Sequence, residues 1–171
     1  MSQTINITLT PQARAAIRKL DAQPRASLAP IRDAINLQNE LTVGHIIQHR
    51  MTGKGPFPPS LGKLGVRSSR LRRSLRPSKA RIVDGGIVSA IGTNVKYAAI
   101  HEFGGQTKPH TIKPRRKQAL YFAFGGKMVT VGQVNHPGSK IPRRRPIFLG
   151  IRDRQRFYGS AISAAITKSL I

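Results

Sequence analysis

His101 and Glu102 are adjacent residues whose side-chain types suit acid–base chemistry. An imidazole and a carboxyl group are both common general acids and bases in enzymes. No Ser, Asp or second His lies near them in the pattern of an activated nucleophile. The sequence therefore favours a structural role, in which His101 caps or hydrogen-bonds a turn while Tyr97 and Phe103 pack in the core or at a subunit seam.

A second pair, His45 and His49, has the four-residue spacing that can place two imidazoles on one helix face. The zinc-protease pattern requires Glu directly after the first His, but Ile46 occupies that position. The chain also has no cysteine and no dense acid cluster to complete a metal site. We therefore expect a polar helix face, no metal and no catalytic residues. A small hydrolase is the alternative that these histidines leave open.

The glycine-rich stretch at residues 53–55 and the later Gly62-Lys63 pair invite comparison with phosphate-binding loops. In such a loop the lysine is followed by Ser or Thr, whose hydroxyl binds Mg²⁺, but Leu64 follows Lys63 here. The glycine spacing also differs from that of a phosphate-binding loop. The sequence therefore predicts no nucleotide site and no cofactor.

Positive charge is the strongest compositional signal. The chain has 30 Lys and Arg against six acids, a formal net charge of +24. Eight of these cations lie in residues 63–81 and ten in residues 108–145, with no acid in either run. Such runs predict contact with phosphate or with acidic faces of neighbouring subunits, and a solvated surface is the alternative. The predicted contact residues are Arg70, Arg72, Arg73, Lys113, Arg115, Arg116, Arg143, Arg144 and Arg145.

Recognition of nucleic acid by base stacking is weakly supported. Within the basic runs the aromatic residues are Tyr121, Phe122 and Phe124, which cluster on one predicted strand instead of alternating with the cations. No helix-turn-helix, zinc-finger or RNP-like pattern occurs. Charge alone therefore predicts, at most, phosphate contact without base readout.

The composition also bears on location. The absence of cysteine fits a reducing compartment. The N-terminus lacks the basic start and apolar run of a signal peptide, and no apolar run approaches the roughly 18 residues that span a bilayer. We expect a soluble protein, cytoplasmic when made, with no membrane partner.

Helical periodicity occurs near both ends of the chain. Residues 11–20 predict a short helix, and a longer one is predicted from Ser27 or Pro30 to about Met51, with an apolar stripe of Ile31, Ile35, Leu41 and Ile46. Residues 152–170 predict an amphipathic C-terminal helix. Residues 52–66 contain glycines and prolines too closely spaced for regular structure.

Strands are predicted in the middle of the chain. Residues 80–83 and 87–91 flank Asp-Gly-Gly, and residues 120–124 and 128–134 flank Gly-Gly, so each pair predicts a β-hairpin. Residues 95–103 predict a short helix that ends at a glycine pair. Helices that precede and follow the strands predict a single α+β domain over residues 1–171, with a small antiparallel sheet packed against a long N-terminal and a C-terminal helix. Its predicted parts are an N-terminal helical region (1–51), a loop (52–66), a sheet core (67–151) with a basic arm (105–145), and a C-terminal helix (152–171).

Three separated stretches carry a family resemblance. Residues 91–105 read IGTNVKYAAIHEFGG, residues 141–150 read IPRRRPIFLG, and residues 69–75 read SRLRRSL. Together they resemble the virion-morphogenesis family of long-tailed phages, the Mu-type tail-completion proteins, with its patterns G-T-x-x-x-Y-A-x-I-H-x-F-G-G, I-P-A-R-P-F-L-G and T-G-x-L-R-R-S-I. The sequence departs from these patterns at Ser68-Ser69, where Thr-Gly is usual, and at Arg143-Arg144, where Ala-Arg is commoner.

The resemblance implies a structural virion protein that completes the head-proximal end of the tail and lets it join the head. It implies a homo-oligomeric ring in the tail or neck, contacts with other neck and tail proteins, and non-specific contact with packaged DNA. The alternative function is a non-specific nucleic-acid-binding protein. The residues that match the family motif, or that are expected to pack beside it, are Tyr97, His101, Phe103, Gly104, Gly105, Pro142, Pro146, Phe148 and Leu149.

Pro142 and Pro146 bracket three arginines just before Phe148 and Leu149. Proline fixes its own backbone angle and restricts the residue before it, which favours an extended conformation for the arginines. We expect the apolar pair to anchor this segment, either in the chain's own core or in a neighbour's.

Overall fold

The computed structural model describes residues 28–84 and 86–169. Within these ranges the chain forms an α+β fold, as predicted. The helices are α1 (Ala29–His45), α2 (Arg70–Ser74), α3 (Ala98–Phe103) and α4 (Pro146–Ser169), and a π-helical turn (Ile46–Arg50) and a 3₁₀ turn (Pro59–Leu61) follow α1. The strands are β1 (Arg76–Pro77), β2 (Arg81–Val83), β3 (Gly86–Val88), β4 (Ile91–Gly92), β5 (Gly105–Gln106), β6 (His110–Ile112), β7 (Leu120–Phe124), β8 (Lys127–Val131), β9 (Val134–His136) and β10 (Lys140–Ile141). The helix predicted at residues 11–20 lies outside the described residues.

The two long helices, α1 and α4, pack against each other in antiparallel orientation. Ile31, early in α1, lies in one apolar cluster with Ala165, late in α4. At the opposite end, Ile46 lies in a second cluster with Ile147. A Cβ at Gly150 would overlap the Ile46 side chain, so glycine at this position lets the two helices approach closely.

The predicted long helix is confirmed, with one change in its buried face. It begins at Ala29 and continues through the π-helical turn to Arg50. Ile31 and Ile46 are buried as predicted, but Leu41 is exposed, and the neighbouring Thr42 is buried. Thr42 faces α4 because its hydroxyl meets that of the buried Tyr158 at 3.0 Å, a polar contact that apolar periodicity does not predict.

The C-terminal helix begins six residues earlier than predicted, at Pro146 instead of residue 152. Proline is favoured in the first turn of a helix, because its missing N–H would lack an intrahelical partner there. The Leu149 N–H donates to the Arg145 carbonyl at 2.9 Å, which closes the first turn. Pro146, Phe148 and Leu149 are therefore helical. The extended conformation predicted for the three arginines is wrong for Arg145, whose φ is +54°.

The core is built mainly by helices instead of by the predicted sheet of residues 67–151. One cluster combines α1, the π-helical turn and α4 with Leu75 and Ile91, and the other joins the outer ends of the long helices with Ile87. Short strands contribute single side chains to both clusters. Burying each large aliphatic side chain contributes about 1.5–3 kcal/mol.

Strand pairing is antiparallel throughout the named strands and occurs in five two-stranded ladders. The hairpin predicted around Asp84 is confirmed as β2–β3, with Ile82 opposite Ile87. Ile91 belongs instead to β4, which pairs with β1. The Gly125-Gly126 hairpin is confirmed as β7–β8, while Val134 lies on β9.

The remaining three ladders stack end to end in one long hairpin, which we call the arm (residues 105–141). Gly105 pairs with Ile141, and Ile112 pairs with Val134. The residue numbers of each pair add up to 246 in both ladders, so the two ladders share one register. In the third ladder Leu120 pairs with Val131, and the residue numbers add up to 251, so the register has shifted by five residues. The five extra residues belong to one side of the arm, where residues 113–119 face residues 132–133 in an enlarged bulge.

Candidate functional site

Glu102 is the most deeply buried charged residue at the motif. Its side chain is only 4% exposed, and its two carboxyl oxygens accept hydrogen bonds from the backbone N–H groups of Ile147 (3.1 Å) and Phe148 (2.9 Å). These donors lie in the first turn of α4, where backbone N–H groups lack intrahelical acceptors. Glu102 therefore caps α4 from a helix 45 residues away in sequence.

The electrostatics of Glu102 reflect two opposed effects. Burial raises the pKa of its carboxyl group above the ordinary value, and the two backbone hydrogen bonds and the charges of Arg145 and Arg143 only partly offset that rise. This arrangement holds the start of α4 against α3.

His101 joins the same two segments through its backbone. Its carbonyl accepts hydrogen bonds from the N–H groups of Arg144 (3.0 Å) and Arg145 (3.2 Å). Burial, and then the charge of Arg144, lower the pKa of the imidazole, which favours the neutral ring. The ring lies edge-on to Tyr97, with centroids 6.2 Å apart. His101 therefore hydrogen-bonds the turn through its main-chain carbonyl.

The three stretches that carry the family resemblance are in contact with one another. The hydroxyl oxygens of Ser74 and Thr93 lie 2.6 Å apart, which joins stretch 69–75 to stretch 91–105. The hydrogen bonds of Glu102 and His101 join stretch 91–105 to stretch 141–150. Gly104 is required at this junction, because its φ is +74° and a Cβ would lie 3.1 Å from the Arg143 nitrogen.

A groove of about 810 Å³ opens beside this junction. Its lining is mostly apolar and includes Phe57, Leu64, Leu71 and Tyr97. No Asp or Glu of residues 28–84 or 86–169 lines it. Six cations do, and they come from four parts of the chain: Lys54, Lys63, Arg67, Arg70, Arg72 and Arg144. We call this the basic groove.

The predicted cationic contact residues divide among several places. Arg70, Arg72 and Arg144 meet at the basic groove, whereas Arg73 is exposed outside its lining. Arg144 also donates to the Phe57 carbonyl at 3.3 Å. The Arg145 guanidinium lies 3.8 Å from the centre of the Phe148 ring. Arg144 and Arg145 therefore have contacts within the chain, and Arg143 is the exposed member of the triplet.

Lys113, Arg115 and Arg116 lie apart from the groove, in the bulge of the arm, and are exposed. Apolar side chains near the end of the arm are exposed as well, with Tyr121 at 68% and Phe124 at 74%. The arm thus carries cations and aromatic rings that do not line the basic groove.

Two predicted packing residues, Tyr97 and Phe103, do not enter the core. They are 43% and 50% exposed, because the short helix α3 turns Ala98 and Glu102 inward instead. Packing of either ring at a subunit seam stays a prediction.

His45 and His49 have nearby rings, with centroids 4.5 Å apart, but His45 meets a carboxylate. Its Nε2 lies 3.2 Å from Asp153 Oδ2, which also accepts hydrogen bonds from Arg50 Nε and Nη2 at 3.0 and 2.5 Å. Arg50 Nη1 donates to the Leu61 carbonyl at 3.0 Å. The cluster therefore ties the end of α1, the following loop and α4 together.

Sequence reasoning missed the capping role of Glu102, although a signal for it exists. Pro146 at the start of a long helical pattern predicts a first turn in need of an acceptor, and Arg145 before it has no side-chain acceptor. The acceptor therefore had to come from elsewhere, either from water or from a side chain distant in sequence. With six acids in the chain, Glu102 inside the motif was a strong choice, but only the fold shows which acid reaches the turn.

The described ranges bring no three His, Cys, Asp or Glu side chains together as metal ligands. No helix in those ranges is long and apolar enough to cross a bilayer. Compared with known protein families, curated proteins and solved structures, the chain shows no significant match.

Proposed function

We propose that this chain is a non-enzymatic virion component, similar to the tail-completion proteins of long-tailed phages. It would act in the tail or neck after assembly in the host cytoplasm, as copies in a ring that lets a finished tail join a filled head. One observation carries the proposal. The three stretches of the resemblance, which lie far apart in sequence, are bonded into one unit through Ser74–Thr93, Glu102–Ile147 and His101–Arg144.

A backbone detail at a departure from the family pattern also supports the proposal. Ser69 stands where the family usually has Gly, and its φ is +56°. A positive φ favours glycine, because a Cβ is crowded in that conformation. The local backbone is therefore the kind that the family's glycine would suit.

The free cations favour a role in assembly. In the described residues, Arg32 and Arg50 are the Lys or Arg side chains that pair with an acid within 4.0 Å. Exposed cations such as Arg70, Lys113 and Arg143 can contact acidic faces of neck and tail proteins or packaged DNA. Attraction of this type weakens as salt rises.

Deletion of the gene from its source phage or prophage tests the proposal by electron microscopy of lysates. We expect separate full heads and unattached tails. Intact, infectious particles would refute the proposed role. Complementation with the wild-type gene should restore joined particles and serves as the control.

Complementation with charge variants locates the contact. Replacing Arg143, Arg144 and Arg145 by Ala should reduce incorporation into particles, but Arg144 and Arg145 also have contacts within the chain. The triple variant of the arm, Lys113→Ala with Arg115→Ala and Arg116→Ala, removes equal charge from exposed positions and is the cleaner test. Unchanged incorporation of both variants would argue against a contact through these cations.

Non-specific nucleic-acid binding is the second candidate, and the exposed rings of the arm favour it. Tyr121 and Phe124 can stack on bases, while Lys127 and the bulge cations contact phosphates. A general binder should hold unrelated duplexes with an affinity that falls steeply with log salt. A filter-binding titration over a range of salt concentrations separates this candidate from a neck protein that binds free DNA weakly.

A further inference from the structure

The basic groove combines two kinds of surface that a single ligand class can match. Its lining includes six Lys and Arg side chains, which we call the rim, and no Asp or Glu of the described residues. The rest of the lining, which we call the floor, is mostly apolar. A nucleic acid would meet the rim with its phosphates, but its bases stack on aromatic rings, and most of the apolar lining is aliphatic: Met51, Pro56, Leu64, Val66 and Leu71, beside Phe57 and Tyr97. A polypeptide segment that carries both carboxylates and apolar side chains satisfies both.

We infer that the basic groove binds an extended acidic segment of another protein, with apolar side chains on the floor and carboxylates at the rim. In an extended segment alternate side chains face opposite sides, so one side can meet Leu64 and Leu71 while the other lies near the open edge. This inference rests on the proposed function only in making the partner a virion protein.

Charge identifies the occupant as a different protein. A second copy of this chain has six acids against 30 Lys and Arg, and no two of these acids are neighbours, so it has no acidic segment to place in this groove. The chain's own residues 1–27 contain four cations and one acid, so they also lack the complementary charge. An acidic partner is attracted by all six rim cations together.

The rim side chains are suited to capture by charge. Lys54, Arg67 and Arg70 are exposed and lie at different points of the groove. Arg144 is held at the wall by its bond to the Phe57 carbonyl, so it presents a fixed charge. Tyr97, at 43% exposure, adds an aromatic surface beside them.

The test measures fluorescence anisotropy of a labelled peptide of alternating Glu and Leu. Two matched peptides replace Glu by Gln or Leu by Ser, and a single-stranded oligonucleotide of equal charge is the fourth probe. We expect the Glu–Leu peptide to bind and both altered peptides to bind about tenfold more weakly. Absence of binding by the Glu–Leu peptide, or equal binding by the Glu–Ser peptide, would overturn the inference.

Matched variants assign the binding to the groove. The triple variant Lys54→Ala, Arg67→Ala, Arg70→Ala should weaken binding about tenfold, because each rim charge contributes a modest attraction. The control is the arm variant Lys113→Ala, Arg115→Ala, Arg116→Ala, which loses the same charge and should bind as the wild type does. An equal loss in both variants would indicate diffuse attraction and contradict a groove site.

Two further outcomes decide between ligand classes. Tyr97→Ala should weaken binding of the Glu–Leu peptide but not of the Glu–Ser peptide, since only the Glu–Leu peptide contacts the apolar floor. Tighter binding of the oligonucleotide, lost in the groove variant, would make this a phosphate site and refute the inference. Should the triple variant not fold, Arg70→Glu alone provides the same comparison.

The peptide assay and the gene deletion can fail separately. If the peptide binds but the deletion leaves particles intact, the groove site is supported and the tail role is rejected. If the deletion separates heads from tails but the peptide does not bind, the tail role is supported and the groove site is rejected.

Discussion

The helical body (residues 28–104 and 146–169) and the arm are stabilised by different means. The body buries Ile46, Leu75 and Ile147, and two of its acids, Glu102 and Asp153, bond to groups distant in sequence. The arm has ladder hydrogen bonds, seven Lys and Arg, and no acid. Isolated two-stranded hairpins are marginally stable in water.

This difference shows which part of the chain is stabilised by its own packing and which part leaves side chains exposed for contact with partners. In β7–β8 the half-buried face carries Phe122 and Val129, but Tyr121 and Met128 on the other face are exposed. No element of the body covers these exposed side chains. The body is therefore expected to determine folding, and the arm to determine contacts with partners.

The largest effect is expected from truncating the core. Ile46→Ala should lower the free energy of unfolding by about 2–5 kcal/mol, because Ile46 is 0% exposed and lies between the long helices. Phe124→Ala removes a larger side chain from the arm but should change the free energy of unfolding by less than about 0.5 kcal/mol. Urea denaturation followed by circular dichroism measures both. Similar losses in the two variants would show that the arm is part of the cooperative core.

A smaller effect is expected from the cap. Glu102→Ala should lower the free energy of unfolding by about 1–3 kcal/mol, because two N–H groups of α4 lose their acceptors in a buried site. Glu40→Ala, which removes an exposed acid of α1, is the matched control and should have little effect. Urea titration of both variants tests this, and equal unfolding midpoints would contradict a capping role.

The smallest effect is the dependence of stability on pH. The acids that cause it should all lie in the body, because the arm has no acid. Burial alone would raise the pKa of Asp153, but hydrogen bonds from Arg50 and His45, with their charges, outweigh it and lower that pKa. Asp153 therefore stabilises the fold above its unfolded pKa, near 3.9, and this contribution disappears as pH falls through the lowered value. The raised pKa of Glu102 acts oppositely, since its contribution is full at low pH and declines as pH rises through the folded value.

Thermal unfolding from about pH 6 to pH 3 separates these effects. Asp153→Asn should lose less stability than the wild type over this range. The stabilisation by the ionised Asp153, which low pH removes from the wild type, is already absent from this variant. The arm variant lacking Lys113, Arg115 and Arg116 should follow the wild-type profile. A wild-type profile for Asp153→Asn would rule out this cluster as a source of acid sensitivity.

Local patterns predicted much of the fold. The helix beginning near Pro30 and both glycine-linked hairpins follow from periodicity and turn chemistry, which act over a few residues. The start of α4 at Pro146 was misplaced, since proline and three arginines also fit an extended segment. The buried Thr42 and Asn39 escaped prediction because their polar contact with Tyr158 spans over a hundred residues.

The sequence by itself determined the charge, the α+β class, the long helix α1, the two glycine-linked hairpins and the motif stretches, because each depends on composition or on short-range spacing. Only the tertiary structure decided that Glu102 caps α4, that Tyr97 is exposed, and that Arg70 and Arg144 meet at one groove. The physical reason is that backbone donors and apolar surfaces are satisfied by whichever groups the packing of α1 on α4 brings near. Sequence spacing does not record that packing.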